Sequence, residues 1–524
     1  MLCGVACRVF GYPVPMLRYD YVIVGAGAAG AVLAARLSED PGRSVLLLEA
    51  GPDLTGAAVP EVLRTGSVDA EDGFDWDLRA TVVAGREAPL RRGRVVGGST
   101  QINDRGAMRA PAADFAAWAA RGLPEWDWSA VLPAFRRLES DQQFGDRDYH
   151  GADGPVPITR WSRGELTPAM DGFLEAVLAL GHEYQEDMNA PDAVGIGMYP
   201  QNRRDRLRMS TTLTHLDPAR SRANLVVRGD AEVERVVLAD GRAVGVQVAG
   251  ETIGAGEVIL CAGSPYSPAL LLRSGIGPAD ELQAAGITPL VDLPGVGADV
   301  IDQPGAIILV VPEPETITGD WPRTQLIARL AGIPGHEPDQ GFYLSLFTGM
   351  STSRGAGAGL DKLVGADQVN TVMIGDMAMA SRGRVGVRGA DPAAPPVVDL
   401  NFYSAEGDLA RMREAYRHAW EIANQAAFTK TVARFALVDD RLMADDEQLD
   451  QVLRATTYSR LNLVGGARMG AADDPGAVVD GRCRVRGVAN LRVVDASIVP
   501  VPLRAPAALT SMMLGERAAE LIVG

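Results

Sequence analysis

Cysteine is scarce in this chain. Four occur among 524 residues, Cys3, Cys7, Cys261 and Cys483. They form no metal-ligand spacing and are too few for a disulfide scaffold, so a reducing, cytoplasmic setting is expected. Lysine is scarcer still, with Lys362 and Lys430 standing among many arginines. No uninterrupted apolar run reaches the ~18 residues of a membrane span. The chain also lacks an internal repeat, a low-complexity tract and a charged tail. Its formal net charge of −17 argues against nucleic acid or an anionic membrane surface as a partner. Residues 1–18 have no basic n-region, no long apolar h-region and no clear small-x-small cleavage site. An upstream start, with Met16 as the true one, fits them at least as well as a signal. What is present is ordinary for a globular protein, 47% hydrophobic and 22% charged residues, and the length suits two domains.

The most informative stretch is Tyr19 to Gly51. Tyr21-Val22-Ile23-Val24 is a short apolar run with β-branched residues and reads as a buried strand. Gly25, Gly27 and Gly30 follow as G-x-G-x-x-G, then an Ala- and Leu-rich helix to Leu37. After the Asp40-Pro41-Gly42 turn, Ser44 to Leu48 reads as a second strand, ending in Glu49, nineteen residues beyond Gly30. Each element has a physical role. Gly25 makes the tight turn, Gly27 lets backbone approach a pyrophosphate, and Gly30 lets the helix pack close to the strand. The helix N-terminus offers free N–H groups to phosphate, and Glu49 accepts hydrogen bonds from ribose hydroxyls. The strand before and the helix after make this more specific than a bare glycine pattern. Gly25, Gly27, Ala29, Gly30, Glu49 and Ala50 are therefore expected to hold a dinucleotide, which this segment alone leaves as NAD or FAD.

Residues 52–90 show weak periodicity and read as loops. Arg91 to Trp118 then carries Arg92, Gly93, Gly97, Gly98, Ser99, Ile102, Asn103, Arg109, Asp114 and Phe115. In that order they resemble the first signature of the glucose-methanol-choline (GMC) family of FAD oxidoreductases. The chain departs from it at Asp104-Arg105-Gly106, where the family has small or apolar residues. The likeness continues through Trp126-Asp127-Trp128, a helix from Ser129 to Glu139 with serine as N-cap, His150-Gly151, Asp187-Met188-Asn189 and Gly195-Ile196-Gly197. Strands are expected at Asn224 to Val227, Val233 to Val237 and Gly241 to Val248, with a hairpin turn at Asp240-Gly241. Glu257 to Ser264 reads as a buried strand running into a small-residue turn, followed by a helix from Ser267 to Ser274 closed by Gly275-Ile276-Gly277-Pro278. This stretch resembles the second GMC signature. Cys261 within it reads as a small buried residue. Asp302-Gln303-Pro304 stands where the family tends to D-H-P.

The resemblance implies an α/β fold, an FAD-binding Rossmann-like domain interleaved with an α+β substrate domain built on an antiparallel sheet. Residues 19–160, 221–304 and 461–524 are assigned to the FAD domain, and residues 161–220 and 305–460 to the substrate domain. Apolar stretches at Ile307 to Val311, Gly341 to Phe347 and Val369 to Met377 read as strands of that sheet. A helix from about Ala405 to Ala426 shows a core stripe of Leu409, Met412, Tyr416 and Trp420. The last segment brings a strand at Leu491 to Asp495 and a closing helix at Ala508 to Val523. The resemblance implies FAD as cofactor, bound without covalent attachment. It adds Gly97, Gly98, Asn103, Val233, Asp495 and Ala496 to the cofactor contacts, Val233 through its backbone at the adenine and Asp495 near the ribityl and pyrophosphate. It implies a small-molecule substrate and leaves the electron acceptor open.

GMC enzymes usually oxidise alcohols, with a histidine as general base in a motif like H-P-x-G-T-x-x-M-G. The matching stretch here is Asn462 to Gly470, with Asn462 in the histidine's place. The second catalytic position, His or Asn in the family, falls on Pro506 or Ala508. None of these handles a proton at neutral pH, although an asparagine amide still orients a hydroxyl or carbonyl. Losing a general base costs about 10²–10⁴ in rate. Asp104 and Arg105 are the candidates for a displaced base. The five histidines, His150, His182, His215, His336 and His418, lie outside the motif, and His150 reads as a structural hydrogen-bonder. The expected function is FAD-dependent oxidation of a CH–OH donor by hydride transfer to flavin N5. The alternatives are a same-fold lyase, cyclase or photodecarboxylase, or a flavin-binding protein without catalysis.

Overall fold

The computed structural model describes residues 18–66, 73–317, 322–331, 341–353 and 355–524, together with the backbone of a short antiparallel pair, Cys7–Val9 and Tyr12–Val14. The side chains of the leader, including Cys3 and Cys7, and the whole of His336 lie outside the described residues.

Strand β1 (Arg18–Val24) leads into helix α1 (Ala28–Leu37), which leads to β2 (Val45–Leu48). β3 (Leu225–Arg228) adds to the outer side of β2, so the order β3-β2-β1 is parallel throughout. The meander β4 (Val233–Ala239), β5 (Arg242–Val248) and β6 (Glu251–Leu260) then returns antiparallel. The Asp240-Gly241 turn has positive φ at both residues, 48° and 74°, the geometry a tight hairpin requires. The carboxyl half of β6 runs parallel to β1 on one side and to Leu491–Val493 on the other. Val22, Ile23, Leu47, Val258, Ile259 and Leu260 are fully buried. These continuous apolar runs, rather than alternating ones, belong to a parallel sheet covered on both faces. α1 and the closing helix (Ala507–Val523) pack on one another there, and a Cβ on Gly515 would fall 2.6 Å from the Ala29 carbonyl oxygen.

The second sheet is antiparallel through β7 (Pro304–Pro312), β8 (Leu326–Leu330), β9 (Phe342–Ser351) and β10 (Gln368–Asp376), in the spatial order β7-β10-β9-β8. Val432–Ala436 extends it beyond β7, Gly195–Met198 beyond β8, and Tyr458–Ser459 pairs with the start of β7. Its strands bury Ile308, Val310, Leu344, Leu346, Val372 and Ile374 against the helix Asp408–Ala423. The fold is therefore a mixed α/β architecture built around two large sheets, in keeping with what the resemblance implied.

Two local expectations need correction. Residues 52–90 are not all loop: Arg79–Val83 and Arg86–Pro89 form a hairpin, and Glu61–Thr65 a short helix. Leu78, Ala80 and Val82 are buried while Arg79 is exposed, a period-two pattern too short to stand out from the glycines and prolines around it. The helix expected from Ser129 runs from Trp128 to Leu138, and its N-cap is Asp127, which accepts from Ser129 N at 3.2 Å.

Candidate active site

The parallel strands end together. Gly25 N donates to Leu48 O at 2.8 Å, Cys261 N to Val24 O at 2.7 Å, and Val494 N to Leu260 O at 2.8 Å. Beyond these last ladder bonds the chain turns away from each strand, and a cavity of ≈ 360 Å³ opens along the carboxyl edge. That is where open α/β sheets bind ligands. The cavity runs from Gly25, Glu49 and Val233 at one end to Tyr199, Arg460 and Asn462 at the other.

The first end is built of bare backbone. Gly25 has φ +102°, and a Cβ there would lie 2.5 Å from Cys261 O. A Cβ on Gly30 would lie 2.0 Å from Gly25 O, so Gly30 secures helix-to-strand contact and does not itself line the cavity. A Cβ on Gly27 would meet nothing within 4 Å, because Gly27 faces the open volume. Gly27 is also the N-cap of α1, and no side chain caps that end. Its free N–H groups and the helix dipole thus point at a space that fits a pyrophosphate. Gly98, with φ +52°, brings its backbone against Gly27, where a Cβ would be 2.8 Å from Gly27 Cα. Gly97, at φ +101°, holds this turn by donating to Ala26 O at 2.8 Å and does not line the cavity.

Glu49 is buried at the end of β2. Its Oε2 accepts from Ala26 N at 2.9 Å and its Oε1 from Gly51 N at 3.1 Å. Burial pushes its carboxyl up to about 7, against the pull of those N–H groups and of Arg94. Ala29, Ala50, Asn103, Val233, Asp495 and Ala496 line the cavity as well. The Asp495 carboxylate is already engaged by the protein. It accepts from Gly263 N at 2.9 Å, Ser267 Oγ at 2.5 Å, Ser497 N at 2.8 Å and Ser497 Oγ at 2.5 Å, while burial raises its pKa. It holds the Gly263 and Ser497 turns that shape the wall. Cys261 is buried and its thiol is pushed well up by burial, consistent with a packing residue.

At the other end, Asn462 lines the cavity with a fixed amide. Its Nδ2 donates to Gln303 Oε1 at 2.9 Å and its Oδ1 accepts from Ala507 N at 3.2 Å. Pro506 and Ala508 line the cavity beside it and carry no polar side-chain atom. Of the two candidates for a displaced base, the structure separates one from the other. Asp104 lines the cavity and lies 3.5 Å from Arg105 Nη1. Arg105 does not line the cavity. It is 1% exposed, takes a left-handed φ of 66°, and its Nη2 donates to Gly66 O and Arg206 O, each at 3.2 Å, and to Thr65 O. Burial lowers its pKa, and its bonds clamp the loop rather than reach the site. Of the pair, only Asp104 faces the cavity.

None of the described histidines lines this cavity. His150 bonds Glu139 at 2.6 Å and Asp187 at 2.8 Å in a fully buried network. Burial opposes its protonation, but those two hydrogen bonds prevail and its pKa is raised. Glu139, Asp141 and His150 come close enough to hold a metal ion, yet Arg109 already pairs with Glu139 and Arg160 with Asp141. The reading of the sequence missed Tyr199 and Arg460, which line the cavity from Gly195–Tyr199 and from the segment just before Asn462. An arginine two residues ahead of the Asn462 motif was the available signal.

The comparisons agree with this geometry. GMC oxidoreductase family models match residues 19–305 and 380–515. An uncharacterised GMC-type oxidoreductase of Rhodococcus erythropolis is 34% identical, over 96% of this chain and 98% of its own length. An oxygen-dependent choline dehydrogenase of Vibrio vulnificus is 34% identical over 97% of this chain and 94% of its own length. Among solved structures, a pyridoxine 4-oxidase from Mesorbium loti has a TM-score of 0.84 at 30% identity, covering 96% of this chain and 98% of that one. An Aspergillus oryzae formate oxidase variant, at 23% identity and a TM-score of 0.86, shares the fold. Among the described residues no helix is long and apolar enough to cross a membrane. The glycine cradle, the uncapped helix end and buried Glu49 fit the family's cofactor, and the chain belongs to the GMC oxidoreductase family as an FAD-dependent oxidoreductase.

Proposed function

We propose that this chain oxidises the CH–OH group of a small alcohol, with Asn462 orienting the hydroxyl and Asp104 accepting its proton. The observation that carries the reading is the fixed amide of Asn462 in the cavity wall. An amide has two donor hydrogens and two acceptor lone pairs. Gln303 and Ala507 take one of each, which leaves one of each for a substrate hydroxyl. Bound FAD supplies the hydride acceptor, at flavin N5. Gly25, Gly27, Gly98, Glu49 and Val233 hold the cofactor, and Asn103, Asp495 and Ala496 complete its wall. Pro506 and Ala508 present only apolar surface beside Asn462, which keeps water from the reacting carbon. Asp104 is the carboxylate at the substrate end of the cavity, 3.5 Å from Arg105 Nη1. It is a weaker base than a histidine, so the reaction is expected to be slow by family standards, by about 10²–10⁴.

The test is anaerobic mixing of the flavin-loaded protein with a panel of primary and secondary alcohols. Bleaching of the flavin band by at least one of them is expected, with Asp104→Asn slowing it further. Turnover with no net flavin reduction, or only under blue light, would replace this reading with a redox-neutral or light-driven reaction. No bleaching and no turnover across the panel would leave a flavin-binding protein.

A further inference from the structure

Arg460 occupies an unusual position in this cavity. It stands two residues before Asn462, and its own N–H donates to Gln303 O at 3.1 Å. The second sheet is cut away to receive it. Gly305 and Gly375 face each other on β7 and β10. A Cβ on Gly375 would fall 2.4 Å from Arg460 Cδ and 2.7 Å from its Nε, and a Cβ on Gly305 would fall 2.5 Å from Tyr458 Cζ. The guanidinium carbon lies 5.6 Å from the centre of the Tyr343 ring.

Among the described residues this charge has no counterion in direct contact. Arg460 Nε and Nη1 are buried without a hydrogen-bond partner, and among the described residues Arg460 forms no ion pair. Its ionisable neighbours include three tyrosines, Tyr199, Tyr343 and Tyr458. Burial raises all three pKa values, so these phenols are neutral at physiological pH, and in each case Arg460 pulls the other way. The Tyr343 hydroxyl is engaged with Arg504 O at 3.3 Å. Tyr199 faces the same cavity, its hydroxyl packed over Gly106. Asp104, at this end of the cavity, lies beside Arg105. A buried guanidinium is retained when an anion completes it, and a carboxylate matches its planar fork of donors.

We infer that Arg460, backed by the Tyr199 hydroxyl, anchors a carboxylate on the substrate, so that the alcohol taken by this site is a hydroxycarboxylate. The inference rests on the alcohol-oxidation reading and deepens it. The carboxylate would sit at Arg460 while the CH–OH group lies at Asn462. The same charge repels a cationic alcohol.

The probes are benzoate and benzamide, which have no hydroxyl and cannot turn over, and 4-(hydroxymethyl)benzoate with its amide. Dissociation constants of the first pair are measured on the flavin-loaded protein by calorimetry. Hydrogen bonds to a charged group are worth about 1.5–3 kcal/mol, so benzoate should bind about 10- to 150-fold tighter than benzamide. Arg460→Met should remove that preference, Arg460→Lys should keep part of it, and Tyr199→Phe should reduce it without abolishing it. Equal binding of benzoate and benzamide by the wild type overturns the inference, as does a preference that survives Arg460→Met. Should Arg460→Met fail to retain flavin, the wild-type pair and Arg460→Lys decide. Bleaching by the second pair separates the two claims. If benzoate is preferred but no alcohol bleaches the flavin, the anion site stands and the oxidation reading falls. If alcohols bleach the flavin with no advantage to the carboxylate, the reverse holds.

Discussion

Glu49, proposed above to hold the cofactor, should make the affinity for FAD depend on pH. In the protein its carboxyl is raised to about 7 by burial, from an ordinary 4.5. Ribose hydroxyls donating to it favour the ionised form and lower its pKa on binding. The bound complex therefore holds fewer protons than the free protein between about pH 4.5 and 7. Affinity rises with pH across that window and is level above it, where Glu49 is already ionised in the free protein. If binding restores the ordinary value, the change is about 2.5 units, or about 3–4 kcal/mol at ~1.4 kcal/mol per unit. That is about 300-fold in the dissociation constant, with close to one proton released at pH 6. The flavin-free protein shows the same group from the other side. Its stability falls as pH rises from about 4.5 to 7, because the unfolded chain has already lost the proton that the folded chain retains. The assay is calorimetric titration of the flavin-free protein with FAD at several pH values, in buffers of different ionisation enthalpy. Glu49→Gln should bind more weakly and level the profile. A wild-type dissociation constant that is flat between pH 5 and 7, with no proton released, would refute the argument.

Gly30→Ala should yield protein with little bound flavin, since the new Cβ would lie 2.0 Å from Gly25 O and 2.9 Å from Cys261 Cβ. The flavin-to-protein absorbance ratio measures it, and a normal ratio would show that the helix can shift. Asn462→His should raise the rate of flavin reduction by an alcohol about 10²–10⁴-fold. The gain appears as pH rises through about 6.5, where the imidazole becomes neutral and able to take a proton. Anaerobic stopped-flow across pH reads both features, and an unchanged rate would count against Asn462 as the reacting position. His150→Ala leaves Glu139 and Asp187 short of a buried partner and should cost about 3–5 kcal/mol in urea unfolding. Because the His150 pKa is raised in the folded state, its contribution is present below the unfolded pKa and is lost as pH rises through the folded one. The variant should lack that pH dependence.

The two ends of the cavity differ in how far they could be read from sequence. The cofactor end is a matter of backbone. A Cβ at Gly25 or Gly30 collides with main-chain atoms, so glycine is required at fixed spacing, and Glu49 follows one strand later at a distance set by the helix between. Such constraints are local and leave a local pattern. The substrate end is assembled from side chains far apart in the chain. Tyr199, Arg460 and Asn462 meet only because Gly195–Met198 and the residues around Tyr458 join opposite sides of one antiparallel sheet. Nothing local marks that meeting. Even adjacent residues mislead there. Asp104 and Arg105 read as a pair, but the left-handed turn at Arg105 sends its side chain to Thr65, Gly66 and Arg206 while Asp104 stays at the cavity.

Gln303 shows what a departure from a family pattern does once it is placed in three dimensions. In the sequence it was only the odd residue of Asp302-Gln303-Pro304. In the fold its carbonyl accepts from Arg460 N, its Oε1 accepts from Asn462 Nδ2 at 2.9 Å, and its Nε2 donates to Leu503 O at 2.7 Å and Ala505 O at 3.4 Å. One side chain thus joins the end of β7's approach, the Arg460–Asn462 segment and the turn before the closing helix. A histidine has two ring nitrogens and could not accept from Asn462 while donating twice to that turn. The asparagine at 462 and the glutamine at 303 therefore belong together. The same residue fixes the Asn462 amide and, through its carbonyl, the backbone of Arg460 two residues before it.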